Sequence, residues 1–432
     1  MLTIRNATLA DGREVDVRID TSAGRITGVG STLTESGDSI DAAGKLLLPG
    51  MIDAHVHFRQ PGFDHKETWE TGSRSAAAGG VTTVVDQPNT DPPTVDGEAF
   101  DRKADVAEAS YVDYGINGGV TPDWNPDELF DRSLLALGEV FLADSTGEMG
   151  IEEDLFREAV ERATDEYRVV TVHAEDADLF AEEATERPGD DYDAWSAYRT
   201  AEAEAEAVER AVEIGDEADA KVHVAHTSTP EGVDAAKSGG ATCEVTPHHL
   251  FLSREDYDEL GTFGRMNPPL RSEDRREAVF ERVADGTVDI VATDHAPHTR
   301  EEKDASIWDA PSGVPGVETA LPLLLEAARK DELSYERVRD LTAANPADVF
   351  GLTRKGKVEQ GLMADLVLVD PDASREIRGE DLHSKCGWTP FEGMRGVFPE
   401  LTMVRGNVVY DGRDGEPEDG EFGEAVGENV RG

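Results

Sequence analysis

Short apolar runs alternate with helical stretches through most of the chain, and this pattern constrains the fold more than any other feature. The runs include VTTVVD at 81–86, RVVTV at 168–172 and VDIVAT at 288–293, and EAEAVERAVEIG at 204–215 is typical of the helical stretches. Strands that alternate with helices form a parallel sheet, and this many units predict a closed (β/α)₈ barrel. A doubly wound open sheet is the alternative.

Both ends of the chain have a different pattern from the middle. Residues 1–50 and 355–413 consist of short β-rich runs separated by turn residues. We therefore predict one small β-rich, sandwich-like domain built from both ends and a barrel over residues 51–354. Residues 414–432 are acidic and rich in glycine, which predicts a loosely ordered acidic tail.

Chemically reactive side chains fall at the ends of the apolar runs, and their position favours the barrel. A barrel gathers the carboxyl ends of all its strands at one mouth, where such residues can converge. His55 and His57 are two residues apart, so in a strand both imidazoles face the same side. Nitrogen and oxygen ligands of this kind suit Zn²⁺ or a similar divalent ion. The other residues at or near the ends of apolar runs are Asn89, Glu139, His173, His226 and Asp294.

The charge of the chain excludes several classes of partner. With 92 Asp and Glu against 41 Lys and Arg, the formal net charge is −51, which repels nucleic acids and anionic membranes. Acidic residues are spread between apolar segments, so we interpret the chain as an acid-coated globular protein of a high-salt cytoplasm. Two cysteines, Cys243 and Cys386, and the lack of a targeting or membrane-spanning run agree with a cytoplasmic location.

Several stretches together resemble the amidohydrolase superfamily and, within it, the dihydroorotase family. The resemblance covers nearly the whole chain, and its stretches are PGMIDAHVHFRQPG, AAAGGVTTVVDQPNTDPPT, VHAED, VAHTST, TPHHL, RMNPPLR, TDHAPHT and KCGWTPFEG. It implies a zinc site at the mouth of a (β/α)₈ barrel, with two ions expected and one as the alternative. Manganese and cobalt stay open as the metal, because histidine and carboxylate ligands discriminate weakly.

The resemblance also assigns the metal ligands residue by residue. His55 and His57 match the first ligand pair, His173 and His226 match the second pair, and Asp294 matches the ligand that also acts as general acid and base. We choose His226 over His223 because it ends the strand before TST. Many relatives have a bridging carbamylated lysine, and some have aspartate, where this chain has Glu139. Asp144 is the second candidate for the bridge.

The implied reaction is the reversible cyclisation of N-carbamoyl-L-aspartate to dihydroorotate, a step of pyrimidine synthesis. The resemblance implies carboxylate contacts from Arg59, Asn89 and His298, and contacts to the ring amides from Asn267 and the backbone at Ser312 and Gly313. His57 would also face the substrate. The alternatives are an allantoinase or hydantoinase and a non-catalytic scaffold, although the scaffold relatives lose ligands that this chain keeps. Formation of a homodimer and association with aspartate transcarbamoylase stay open.

Overall fold

The computed structural model describes residues 1–33, 37–142, 149–413 and 420–432. Its first five strands form one side of a β-sheet, and in EVDVRID the apolar residues Val15, Val17 and Ile19 are all buried. β1 pairs antiparallel with β2, β2 pairs antiparallel with β3, and β4 pairs parallel with β1. These strands are β1 (Leu2–Thr8), β2 (Glu14–Asp20), β3 (Arg25–Gly30), β4 (Asp38–Asp41) and β5 (Leu46–Pro49).

The next strands form the predicted barrel. They are β6 (Met51–Val56), β7 (Val81–Asp86), β8 (Asp113–Ile116), β9 (Leu137–Leu142), β10 (Gly150–Ile151), β11 (Val169–Ala174), β12 (Lys221–Val224), β13 (Thr242–Val245) and β14 (Ile290–Val291). All of them pair in parallel, and β10 is a short outer partner of β9. The other eight are the barrel strands, and most are buried along their full length because helices cover the outer face.

Two parallel bridges close the barrel. Gly118 pairs with Leu137 between β8 and β9, and Val56 pairs with His295 between the first and last strands. At this last seam, Asp53 also accepts hydrogen bonds from the backbone N–H of Thr293 at 2.9 Å and from its hydroxyl at 2.6 Å. The (β/α)₈ prediction is therefore confirmed, and the open sheet is wrong.

Helices between the strands pack an apolar face on the barrel. In α4, for example, Phe156, Ala159, Val160 and Ala163 are buried. None of the helices among the described residues is both long and apolar enough to cross a membrane. The α-helices are α1 (Trp69–Ala78), α2 (Gly97–Ala107), α3 (Pro126–Phe130), α4 (Glu153–Asp165), α5 (Ala194–Tyr198), α6 (Ala201–Glu217), α7 (Pro230–Ser238), α8 (Pro247–Phe251), α9 (Tyr257–Leu260), α10 (Glu273–Asp285), α11 (Arg300–Lys303), α12 (Ala320–Arg329), α13 (Tyr335–Arg339) and α14 (Asn345–Val349).

The last strands return to the first sheet. They are β15 (Leu366–Glu376), β16 (Arg395–Val404), β17 (Asn407–Asp411) and β18 (Glu421–Phe422). β15 pairs antiparallel with β5, which joins the two ends of the chain in one nine-stranded sheet. This agrees with a β-rich unit built from both ends, and the domain boundaries given above stay predictions.

The described part of the acidic tail is ordered, so the expectation of a loose tail is wrong for residues 420–432. β18 pairs with β17, and the backbone of Tyr114 in the barrel exchanges hydrogen bonds with Glu428 at 3.0 Å and Val430 at 2.9 Å. The ring of Phe422 packs edge-on against Tyr111 at 5.9 Å. These contacts are with residues distant in sequence, and composition alone does not reveal them.

Candidate active site

Six side chains from different strands converge at the mouth of the barrel. They are His55, His57, Glu139, His173, His226 and Asp294, and none of these residues exposes more than 6% of its surface. Three of them lie inside strands β6, β9 and β11, and the other three follow the ends of β6, β12 and β14. The structure thus brings together every metal ligand predicted from the sequence except Asp144, the alternative to Glu139, which lies outside the described residues.

Glu139 lies between the two histidine pairs, with one carboxylate oxygen toward each pair. Its Oε1 lies 3.0 Å from His173 Nδ1 and 2.5 Å from His226 Nε2. Its Oε2 lies 3.4 Å from His55 Nε2 and 3.9 Å from His57 Nε2. Burial acts to raise the pKa of Glu139, but the neighbouring His226 and His55 outweigh it and hold the pKa well below its usual range. Glu139 is therefore an anionic carboxylate in the position that a bridging ligand requires.

Asp294 follows β14 and faces the first histidine pair across the seam between the first and last barrel strands. Its Oδ1 lies 3.0 Å from His57 Nε2 and 3.6 Å from His55 Nε2. Burial acts to raise the pKa of Asp294, but His57 and His55 lower it well below its usual range, so the group is ionised. An ionised aspartate beside two imidazoles offers both a ligand oxygen and a proton acceptor.

The donor atoms of this cluster fit a divalent cation. His55 Nε2 is buried and has no hydrogen-bond partner among the described residues, although it is close to both Glu139 and Asp294. Two groups of three side chains each have all their donor atoms within 4.8 Å of one another. One group is His55, His57 and Asp294, and the other is His55, Glu139 and His226. A buried polar atom without a partner is costly, and a coordinated ion would satisfy His55 Nε2.

Two further carboxylates orient the histidines, and the sequence analysis missed both. Glu244 Oε1 lies 2.7 Å from His55 Nδ1, and Glu175 Oε2 lies 3.1 Å from His173 Nε2. Burial acts to raise the pKa of Glu244, but His55 and the adjacent His223 lower it to about 2. Each ionised carboxylate accepts from one ring nitrogen, so the other ring nitrogen is left with a lone pair toward the cluster.

His223 is buried behind the cluster, as expected for the histidine that was not chosen as a ligand. Its Nε2 lies 3.1 Å from Glu244 Oε2, and its Nδ1 lies 2.8 Å from Thr242 Oγ1. The signal that could have suggested a buried Glu244 is its position between two apolar residues, Cys243 and Val245, in a short apolar run.

The backbone at the site adopts conformations that are rare for side-chain-bearing residues. Arg59, His226 and Asp294 have φ of 65°, 32° and 46°. Each such residue costs about 1–3 kcal/mol, and these conformations cluster at functional sites. Gly138, before Glu139, has φ of 140°, and a Cβ there would collide with the Thr171 side chain. Only glycine therefore suits the position that brings Glu139 into the cluster.

A pocket opens from the cluster, and most of the predicted substrate contacts line it. The lining residues are His57, Arg59, Asn89, Glu139, Phe141, His173, His226, Asn267, Asp294, Ala296, Ser312 and Gly313. Arg59 lies beyond the end of β6, so strand alternation does not determine the direction of its side chain. A hydrogen bond from Arg59 Nε to Pro297 O at 3.2 Å holds the side chain instead. His298 lies behind Arg59 rather than among these lining residues, with its Nε2 3.1 Å from Arg59 Nη2.

Asn89 and Asn267 both line the pocket and belong to hydrogen-bonded networks. Asn89 Oδ1 lies 2.7 Å from His57 Nδ1, so this amide also fixes a ring nitrogen of the cluster. Asn267 Oδ1 accepts from the Ser312 hydroxyl at 3.1 Å and from Trp195 Nε1 at 3.1 Å. These bonds hold the side chains in place at the wall of the pocket.

A closed parallel barrel with buried histidines and carboxylates at its mouth defines a metal-dependent hydrolase of the barrel type. The chain belongs to the amidohydrolase family, whose family model matches residues 46–409.

Comparison with known proteins gives the same class. The chain is 71% identical over 414 residues to a dihydroorotase of Halobacterium salinarum, a match that covers 95% of this chain and 97% of the relative. It is 47% identical to a dihydroorotase of Methanosarcina acetivorans, covering 94% and 91% of the two chains. Among solved structures, L-hydantoinase (dihydropyrimidinase) from Arthrobacter aurescens superposes with a TM-score of 0.90 at 30% identity, over 96% of each chain.

Proposed function

We propose that this protein is a dihydroorotase that interconverts N-carbamoyl-L-aspartate and dihydroorotate. The observation that carries the proposal is the position of Arg59 beside the buried cluster of histidines and carboxylates, within one pocket. The cluster supplies the means to open a cyclic amide, and the arginine supplies a binding partner for a ring that bears a carboxylate. The 71% identity to a dihydroorotase over nearly the whole chain supports the same activity.

The metal ligands of this proposal are the six residues of the cluster. One ion would be held by His55, His57 and Asp294, a second by His173 and His226, and Glu139 would bridge them with one oxygen toward each. Zinc suits this nitrogen and oxygen ligand set, and two ions agree with the way the Glu139 oxygens divide between the histidine pairs. When bound, such ions polarise a carbonyl group and lower the pKa of water.

The carboxylate of the substrate would bind at the end of the pocket formed by Arg59 and Asn89. The guanidinium can donate two parallel hydrogen bonds to a carboxylate, and Asn89 can add a third donor. His298 contacts Arg59 and so would orient it from behind. Asn267, Ser312 and Gly313 also line the pocket, and the Asn267 side chain with the backbone of the other two would contact the ring amides.

Asp294 would move the proton of the reaction. In the hydrolytic direction, the oxygen of water adds to the ring carbonyl carbon, and the bond between that carbon and the ring nitrogen breaks. Asp294 takes one proton from the water and returns it to the departing nitrogen, so the product is the open N-carbamoyl-aspartate. In the biosynthetic direction, the same carboxylate takes the proton from the carbamoyl nitrogen and gives it to the leaving hydroxyl oxygen.

A substrate panel tests the proposal. The purified protein, loaded with zinc in concentrated KCl, should open dihydroorotate and should turn over allantoin and hydantoin much more slowly. Removal of the metal with a chelator should abolish the activity, and added zinc should restore it. Preference for allantoin or hydantoin would replace the proposal with that activity. A protein that turned over none of the three and bound no zinc would be the non-catalytic scaffold.

A further inference from the structure

Lys303 is a fully buried lysine directly behind the wall of the pocket, outside the cluster already described. It ends α11, and its Nζ is within hydrogen-bond distance of three backbone carbonyls. These are Arg265 O at 2.9 Å, Pro311 O at 2.9 Å and Gly313 O at 3.1 Å. Among the described residues, no carboxylate forms an ion pair with it.

The number of acceptors matches a protonated side chain. An ammonium group has three N–H bonds, and each of the three carbonyls can accept one, whereas a neutral amine would turn a lone pair toward a carbonyl oxygen. Burial and the positive charges of Arg265 and Arg59 lower the pKa of Lys303, and the carbonyl oxygens oppose that shift by solvating the charge. A buried charge is tolerated only with such complete satisfaction.

The three carbonyls belong to two loops that together form one side of the pocket. Arg265 lies two residues before Asn267, and Pro311 and Gly313 flank Ser312. The loops also contact each other, because Gly313 N donates to Arg265 O at 3.0 Å and Ser312 Oγ donates to Asn267 Oδ1 at 3.1 Å. Lys303 is therefore hydrogen-bonded to both loops. Its acceptors lie within two residues of Asn267 in one loop and of Ser312 in the other, and both of these residues line the pocket.

The Lys303 ammonium also polarises a peptide group of the pocket wall. Pro311 O and the N–H of Ser312 belong to the same peptide group, and a cation on the oxygen strengthens the N–H as a donor. That N–H donates to no other group among the described residues. A strengthened donor at this place suits an amide carbonyl of a ring.

We propose that Lys303 is a positioning residue for substrate recognition, which holds the Asn267 and Ser312 loops in register and polarises the Pro311–Ser312 peptide toward a ring amide carbonyl. This proposal rests on the proposed function. It assigns to Lys303 a role in binding the ring, and no contact with the reacting atoms or with the metal.

The test compares Lys303→Met with the wild-type enzyme. Methionine keeps most of the volume and the apolar stem but removes the ammonium, so we expect the KM for dihydroorotate to rise at least tenfold while kcat stays within threefold. Lys355→Met is the control, because the Lys355 side chain is also largely covered, at 7% exposure, but is paired with Asp113 and Asp365 and does not line the pocket. The control should lower the melting temperature and leave KM unchanged.

Chemical rescue separates hydrogen bonding from packing. In Lys303→Ala, n-propylammonium matches the missing part of the side chain and should restore KM at least in part. Tetramethylammonium has the same charge but no N–H, and it should not. The proposal would be overturned by a folded Lys303→Met enzyme with the wild-type KM, or by equal rescue with both cations. Failure of both variants to fold would also overturn it, because Lys303 would then act only in core stability. If the wild-type enzyme does not open dihydroorotate, the proposed function fails instead.

Discussion

Glu139 is the residue on which the two halves of the site depend, since its two oxygens face different histidine pairs. A glutamate is shorter than a carbamylated lysine, and Gly138 lets it reach the cluster by allowing the backbone of β9 to approach Thr171 closely. The proposed bridging role of Glu139 thus depends on strand geometry rather than on the length of the side chain.

Replacement of Glu139 tests the bridging role. Glu139→Gln keeps the size of the side chain but removes the charge that would hold two cations together, so at least one equivalent of zinc should be lost. Metal analysis after dialysis measures this. Glu318→Gln is the control, because Glu318 is a buried carboxylate that contacts Ser75 and His383 rather than the cluster. Two ions bound at wild-type affinity in Glu139→Gln would exclude the bridge.

Arg59 allows a prediction on substrate recognition. Arg59→Lys keeps the charge but loses the planar fork, so KM for dihydroorotate should rise about tenfold or more, equivalent to about 1.4 kcal/mol. Any slow turnover of hydantoin, which has no carboxylate, should change less. Steady-state kinetics on both rings decide this, with Arg132→Lys, in an exposed pair with Asp101, as the control. Equal loss on both substrates would indicate that Arg59 has no role in binding the carboxylate.

The sequence predicted the residues of the cluster but not the residues that orient them. His55 and His57 are recognisable because their spacing is itself a signal. Glu244 is 189 residues from His55 in the chain, and only the pairing of β13 with its neighbours brings the two together. A local pattern can indicate that Glu244 is buried, but its contact with His55 depends on the tertiary structure.

At the scale of elements, the strands were predicted more reliably than the tail. Runs such as VTTVVD are buried on both faces of a parallel sheet and are visible as continuous apolar segments. β18 has only two residues, and its flanks are rich in glycine and acids, so its order comes from β17 and from Tyr111 rather than from its own sequence.

Truncation of the tail tests its structural role. A chain that ends at residue 419 loses β18 and the hydrogen bonds to Tyr114, so its melting temperature should fall by about 2 °C or more, which corresponds to about 2 kcal/mol in a protein of this size. KM should not change, because the hydrogen bonds of 420–432 described here do not involve a pocket-lining residue. Thermal unfolding and kinetics on the same preparation measure both. An unchanged melting temperature would mean that the tail adds nothing to stability.

At the scale of the molecule, the net charge is strongly negative, but single cations lie beside the pocket. In α4 the acidic residues face outward and the apolar ones face the barrel, whereas Arg59 and Lys303 are buried near the pocket. A substrate anion thus meets Arg59 at the pocket wall of a molecule with a net charge of −51, although the buried carboxylates Glu139 and Asp294 line the same pocket. Locally placed cations are what allows so acidic a protein to bind an acid.

The surface charge predicts a strong dependence on salt. Screening acts over about 3 Å at 1 M salt and about 30 Å at 0.01 M, so dilution exposes the carboxylates to their mutual repulsion. The melting temperature and the activity should both fall as KCl is reduced from molar to millimolar concentrations. Sucrose, which stabilises proteins without screening charge, is the control and should not replace KCl. Full stability in dilute buffer would contradict this interpretation of the acidic surface.

The seam between β6 and β14 has a consequence for how the molecule assembles. His55 and His57 belong to one side of that seam, and Asp294 belongs to the other. The two sides are about 240 residues apart in the chain, so the intervening chain must fold before these side chains can meet. A bound cation would thus connect the first and last barrel strands once the barrel has folded. Its release would destabilise the protein first where β6 and β14 meet.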